Sequence, residues 1–64
     1  DPSAKAQANK VVQGLAEAIE NYEKQAAKAE AAGQTAKAMV AREAAAARRG
    51  WLEQAQKGLT EFTN

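Results

Sequence analysis

Apolar residues spaced alternately four and three apart dominate the first half of the sequence. The series runs unbroken towards Gly33 and comprises Ala8, Val12, Leu15, Ile19, Tyr22, Ala26 and Ala29. These spacings keep side chains on one face of an α-helix, as in the seam of a coiled coil. A helix buries such a seam by packing it against another helix. The pattern therefore predicts an all-α protein built by helix pairing.

The chain is too short to bury a large core. It has 64 residues, and a domain of this size buries only about 60% of the surface that its unfolded chain exposes. Alanine is the best helix former, but it contributes little free energy on burial. The sequence also has no cysteine, so no disulfide can reinforce the fold. We therefore expect strong helices, thin packing and help from a partner subunit.

Capping residues divide the chain into two helices. Asp1 followed by Pro2 is typical of a helix start. Gly33 is a natural C-cap, because glycine adopts a positive φ without a Cβ clash, and Thr35 can cap a second helix. The sequence thus predicts one domain over 1–64, an antiparallel hairpin with a helix over about 2–32, a turn at 33–35 and a helix over about 36–62.

The second helix carries a less regular apolar stripe. It comprises Ala36, Val40, Ala44, Ala47, Trp51, Ala55, Leu59 and Phe62, and Met39 and Leu52 broaden it. One neighbouring helix cannot cover so broad a face, so we expect two hairpins to dimerise into a four-helix bundle. The residues expected to pack between helices are Val12, Leu15, Ile19, Tyr22, Val40, Trp51, Leu59 and Phe62.

Gly50 allows a different division of the second half. Arg48 and Arg49 followed by glycine resemble a helix C-terminus, which would give a three-helix bundle. Trp51 and the residues after it offer no N-cap, which favours a continuous helix. A glycine inside a helix costs about 1 kcal/mol, so we expect Gly14 and Gly50 to allow a ring or backbone to approach closely.

Opposite charges face each other across the predicted turn. With the turn centred near Gln34, the predicted pairs are Glu30 with Lys37, Lys24 and Lys28 with Glu43, Glu17 and Glu20 with Arg48 and Arg49, and Lys5 with Glu61. An exposed pair contributes about 0–1 kcal/mol. The pattern therefore indicates register more than stability.

The composition argues against most kinds of chemistry. The net charge is +1, histidine and cysteine are absent, and no apolar run reaches the roughly 20 residues that span a bilayer. Tyr22 and the hydroxyl residues have no histidine to activate them, and a thin hairpin has little room for a pocket. We expect no enzyme activity, cofactor, metal site, small-molecule substrate or membrane association. The composition does not identify a compartment.

Basic residues in the second helix suggest nucleic-acid binding as a less favoured function. Arg42, Arg48 and Arg49, with Lys37, could contact phosphates if they formed one coherent basic strip. The glutamates predicted to lie opposite would neutralise much of that strip. Nucleic-acid binding is therefore a weaker hypothesis than pairing with a helix of the same or another protein.

Residues 17–24, Glu-Ala-Ile-Glu-Asn-Tyr-Glu-Lys, resemble the second helix of a tetratricopeptide repeat, which typically carries Ala-Ile-x-x-Tyr. Gly50 and Ala55 are spaced like that family's turn glycine and helix alanine. The resemblance covers about a quarter of the chain, and the family's first-helix Trp and Leu-Gly positions and its period of about 34 residues are missing. It implies a scaffold that binds peptides, and no functional residue is transferred from it.

Together these patterns predict a structural function. We expect a helical interaction or oligomerisation module, either an excised natural domain or an engineered chain, that pairs with its own copy as a homodimer. The alternative is a monomeric adaptor hairpin that binds a helix of another protein through the same face.

Overall fold

A computed structural model describes residues 2–61, which form two helices. Helix α1 spans Pro2–Ala31 and helix α2 spans Thr35–Glu61. The helices pack against each other in antiparallel orientation, so the predicted all-α hairpin is confirmed. Because α2 continues through Gly50 without a break, the three-helix alternative is wrong. The predicted roles of Asp1 and Phe62 lie outside the described residues.

Gly33 ends α1 in the conformation that the sequence predicts, with a φ of 74°. Its amide donates to the carbonyl of Glu30 at 3.0 Å, and the amide of Gln34 donates to the carbonyl of Ala29 at 2.8 Å. These two bonds define a Schellman motif, which satisfies carbonyls that the helix end would otherwise leave without partners. The chain therefore reverses direction over residues 32–34.

Helix α2 begins one residue earlier than predicted. The Gln34 carbonyl accepts the first helical hydrogen bond from the amide of Ala38, at 3.0 Å. Gln34 therefore holds the N-cap position expected for Thr35. Among the described residues, no side-chain hydrogen bond from Thr35 caps the helix. The backbone geometry of the turn starts this helix instead.

A seam with heptad spacing joins the two helices. On α1, half-buried Ala18 flanks the seam, and the seam residues are the predicted series from Ala8 to Ala29. On α2, half-buried Ala44 and Gly58 flank the seam, and the seam residues are Ala38, Ala41, Ala45, Arg48, Leu52, Ala55 and Leu59. Their spacings alternate between three and four, as coiled-coil seams do. The α2 seam is therefore as regular as the α1 seam.

The face of α2 that meets α1 coincides with the predicted stripe only in part, at half-buried residues such as Leu59. Val40 is 67% exposed and Trp51 is 56% exposed. Ala38 and Ala45 are buried instead, on a face about a quarter turn around the helix. Small side chains take this position because they let the two helices lie close together beside the turn. Val40 and Trp51 of the stripe remain uncovered by α1.

The hairpin is long and thin. It measures 48 × 15 × 11 Å and has a radius of gyration of 14.7 Å, against about 10.7 Å for a globular domain of equal length. Its accessible surface is 4718 Å², whereas a folded monomer of this mass exposes about 3,950 Å². The hairpin therefore exposes roughly 750 Å² beyond the usual value.

Gly14 and Gly50 receive no close neighbour within the hairpin. A Cβ atom built on either glycine meets no atom within 4 Å. The expected approach of a ring or backbone to these glycines is therefore wrong. Both residues are exposed and lie away from the seam, so a methyl group at either position would project into open space.

Two glycine substitutions should have opposite effects on stability. Gly50→Ala should raise the free energy of unfolding by about 1 kcal/mol, because alanine favours the helix and has room there. Gly33→Ala should lower it by about 1 kcal/mol or more, because alanine is strained at positive φ. Urea unfolding followed by far-UV circular dichroism, at one protein concentration, measures both. Destabilisation by Gly50→Ala would contradict the open space seen beside it.

Candidate interaction surface

Both ion pairs between the helices lie on one long side of the hairpin. Arg42 Nη2 lies 2.6 Å from Glu30 Oε2, and Arg49 donates to Glu23 Oε2. The two glutamates are seven residues apart, so they lie on the same flank of α1. The two arginines are also seven residues apart, so they lie on the same flank of α2. We call this side, defined by these four residues, the ionic side.

The observed partners differ from the predicted ones. Glu30 pairs with Arg42 instead of Lys37. Arg49 pairs with Glu23, one helical turn away from the predicted glutamate. The alanine seam fixes the register, and each long arginine then reaches diagonally to a carboxylate on its own flank. The charge pattern of the sequence therefore predicted that ion pairs join the two helices, but it did not predict which residues form them.

Ion pairing also divides the basic residues of α2. Arg42 and Arg49 are engaged by glutamates on the ionic side, while Arg48 occupies the seam and its guanidinium lies against two aromatic rings, away from that side. These three arginines do not form the continuous basic strip that phosphate binding would require.

The ion pairs should contribute little to stability. Glu23→Gln should lower the free energy of unfolding by about 0.5 kcal/mol, because both partners are about half exposed. High salt should remove most of this difference by screening the charges. Glu17→Gln is the control, because Glu17 makes no ion pair among residues 2–61. Urea unfolding at low and high salt measures both variants, and a loss for Glu23→Gln that salt leaves unchanged would contradict this assignment.

A groove of about 760 Å³ opens between the helices on the opposite long side, near the turn. Its apolar walls are formed by Tyr22, Ala29, Ala32, Ala36, Val40 and Ala41. Lys28 and Lys37 also border the groove, and no carboxylate lines it. The groove exists because alanines from both helices face each other where larger side chains would fill the space.

Arg48 links the two helices beside this groove. Its guanidinium carbon lies 4.6 Å from the centroid of the Tyr22 ring and 5.4 Å from that of the Trp51 ring. Its Nη1 donates to the carbonyl of Ala44 at 3.1 Å. A cation over an aromatic face is attracted by the ring quadrupole. Arg48 therefore holds the Trp51 indole on the same side of the hairpin as Tyr22.

Sequence reasoning missed this role of Arg48 and placed it opposite a glutamate. Two signals pointed to the observed contacts. Arg48 lies three residues before Trp51, a spacing that brings side chains together on a helix. It also occupies a seam position of α2, where a charged group has to find partners across the helix pair.

Three large apolar side chains lie exposed on the groove side. Val40 lines the groove. Trp51 lies on the same side as Tyr22, because the Arg48 guanidinium contacts both rings. Val11 is 54% exposed and shares a flank of α1 with Gln25, which lines the groove, because fourteen residues, or two heptads, separate them. We call this side, defined by Val11, Tyr22, Val40 and Trp51, the apolar side. Helical spacing places Met39, also exposed, about 100° around α2 from Val40.

The residues predicted to pack between helices divide into a group in the α1–α2 seam and a group that is exposed. Five belong to the seam within the hairpin, and they are Val12, Leu15, Ile19, Tyr22 and Leu59. Val40 and Trp51 are exposed on the apolar side, so they do not pack between α1 and α2. Their role at an interface with another chain stays a prediction. Phe62 lies outside the residues that the structure describes.

Neither described helix is long and apolar enough to cross a membrane. Within residues 2–61, no three acidic side chains gather closely enough to hold a metal ion. The chemical character of the described surface therefore comes from its apolar side, its ion pairs and Arg48.

Comparison with known proteins assigns no family to the chain. No family model matches the sequence, and no curated protein or solved structure gives a significant match. The segment that resembles a tetratricopeptide repeat lies inside α1, a single helix of 30 residues. A whole repeat of about 34 residues contains two helices and a turn. This segment therefore does not occur in the helical arrangement that defines the repeat.

Proposed function

We propose that the chain is a structural module that self-associates, with two hairpins joined through their apolar sides in a four-helix bundle and no catalytic role. One observation carries this proposal. Val11, Val40 and Trp51 are each more than half exposed and lie along the same side of the hairpin. Large apolar side chains aligned on one side are typical of an interaction surface.

The exposed area supports pairing of two copies. The hairpin exposes roughly 750 Å² more than a folded monomer of its mass usually does. A standard interface buries about 800 Å² on each partner. Association of two hairpins through their apolar sides would therefore bring the surface of each chain back to the usual range.

The charge distribution is also compatible with pairing. The net charge is +1, so long-range repulsion between two copies is weak. The cross-helix ion pairs lie on the ionic side, where they would remain in water when the apolar sides meet. Association would thus bury apolar surface without breaking those ion pairs.

Sedimentation equilibrium over a wide concentration range tests the proposal. We expect a dimer at high concentration and, on dilution, dissociation accompanied by loss of helix content in circular dichroism. Emission from the single tryptophan, Trp51, should shift to shorter wavelength as the dimer forms. A helical monomer at every concentration would overturn self-association.

Two neighbouring residues provide a matched pair of variants. Val40→Asp should weaken the dimer by about 30-fold or more, because it places a charge within the buried apolar side. Met39→Asp should leave the dimer nearly unchanged, although Met39 is also exposed and apolar, because it lies off the apolar side. Equal weakening by both variants would show that the apolar side is not the contact surface.

A monomeric adaptor is the second candidate. The observation that favours it is the border of the groove, where Lys28 and Lys37 lie beside apolar walls that contain no carboxylate. Such a groove suits a helix with an apolar stripe flanked by acidic residues. A stable monomer in the sedimentation experiment would make this the leading function.

A further inference from the structure

The apolar side of α2 carries a projection and a recess at a fixed separation. The projection is the exposed indole of Trp51, and the recess is the groove beside Val40. Eleven residues separate them, which corresponds to about 16 Å along the helix. Ala44 and Ala47 occupy this face between them, so no large side chain prevents a second helix from lying there.

We propose that α2 of one copy packs antiparallel on α2 of the second copy, and that Trp51 of each copy enters the groove beside Val40 of the other. This inference rests on the self-association proposed above and specifies its geometry. The two helices would cross at Ala44 and Ala47, which lie on this face about midway between Val40 and Trp51. Each copy would contribute one indole and one groove, so both recesses are filled.

Two-fold symmetry favours this arrangement. In a closed dimer the same surface is used by both copies, and a contact from one residue to another is repeated in reverse. Antiparallel pairing brings Trp51 to Val40 in both directions at once. A parallel pairing would instead bring the two Trp51 side chains together, place the Arg48 charges near each other and leave both grooves empty.

The groove has the size and chemistry for an indole. The groove has a volume of about 760 Å³, and a tryptophan side chain that enters a site of this kind buries about 150–250 Å² of surface. Lys28 and Lys37 at its border can contact the electron-rich face of the ring. Arg48 stacks on Trp51 and so holds the indole on the apolar side before the second copy arrives.

The chain's single tryptophan makes a mixing experiment possible. Trp51→Ala removes the indole but keeps the groove. Ala36→Glu keeps the indole but fills the groove with a side chain that Lys28 and Lys37 attract. Both altered residues are exposed in the hairpin, so each variant should fold. Ala46→Glu, at an exposed position away from the groove, is the matched control.

We expect each variant alone to dimerise about 30-fold more weakly than the parent chain, or worse, because both indole contacts are lost. Mixing the two variants should restore association in part, since the mixed dimer retains one indole in one open groove. Only the Ala36→Glu chain fluoresces from tryptophan in that mixture. Its tryptophan emission should shift to shorter wavelength as the Trp51→Ala chain, which has no tryptophan, is added, and Ala46→Glu should dimerise like the parent.

The outcomes separate this inference from the proposed function. A parent chain that stays monomeric overturns self-association and the groove contact together. A parent chain that dimerises while Trp51→Ala dimerises equally well overturns the groove contact alone. Variants that dimerise weakly but give no mixed dimer and no emission shift also overturn it, because the indole would then act elsewhere in the interface.

Discussion

Packing of alanine against alanine beside the turn is the contact on which the rest of the hairpin depends. Ala26 and Ala29 of α1 are buried near the turn, as are Ala38 and Ala41 of α2. The distance between packed helices depends on the side chains at the contact, and small ones let helices joined by a short turn stay close. Alanine also buries little surface, so this seam stabilises the pair weakly and leaves both flanks uncovered.

The unlike sides of the molecule follow from this close approach. On one flank, glutamates and arginines are brought within reach and form ion pairs. On the other, the small residues Ala32 and Ala36 leave a groove. Farther from the turn, Arg48 bridges the gap by stacking between Tyr22 and Trp51. The same seam thus produces a hydrated polar surface on one side and an uncovered apolar surface on the other.

The two helices differ in how well their sequences predict their packing. The α1 seam is marked by Leu15 and Ile19, which stand out from the alanines, and the glycine cap marks its end. Alanines occur on several faces of α2, and two of its large residues, Val40 and Trp51, lie off the seam, while its leucines lie on it. A prediction that gives most weight to the largest side chains therefore places the contact with α1 on the face of Val40 and Trp51, which is exposed. The heptad spacing of the alanines carried the correct signal, but nothing in the sequence showed the groove that their small size creates.

Because the alanine seam stabilises the hairpin only weakly, binding of a partner would affect how stably the hairpin folds. A core in a chain this short rarely contributes more than about 3–5 kcal/mol, and the buried residues here are mostly alanine. A partner that binds only the folded hairpin stabilises it by mass action. Because α2 supplies half of the seam and also Val40 and Trp51 of the exposed apolar side, fraying of this helix would lose both contacts together. If the proposed self-association occurs, selection for pairing and for a stable hairpin acts on the same helix, and Val40 and Trp51 can then lie outside the intramolecular core.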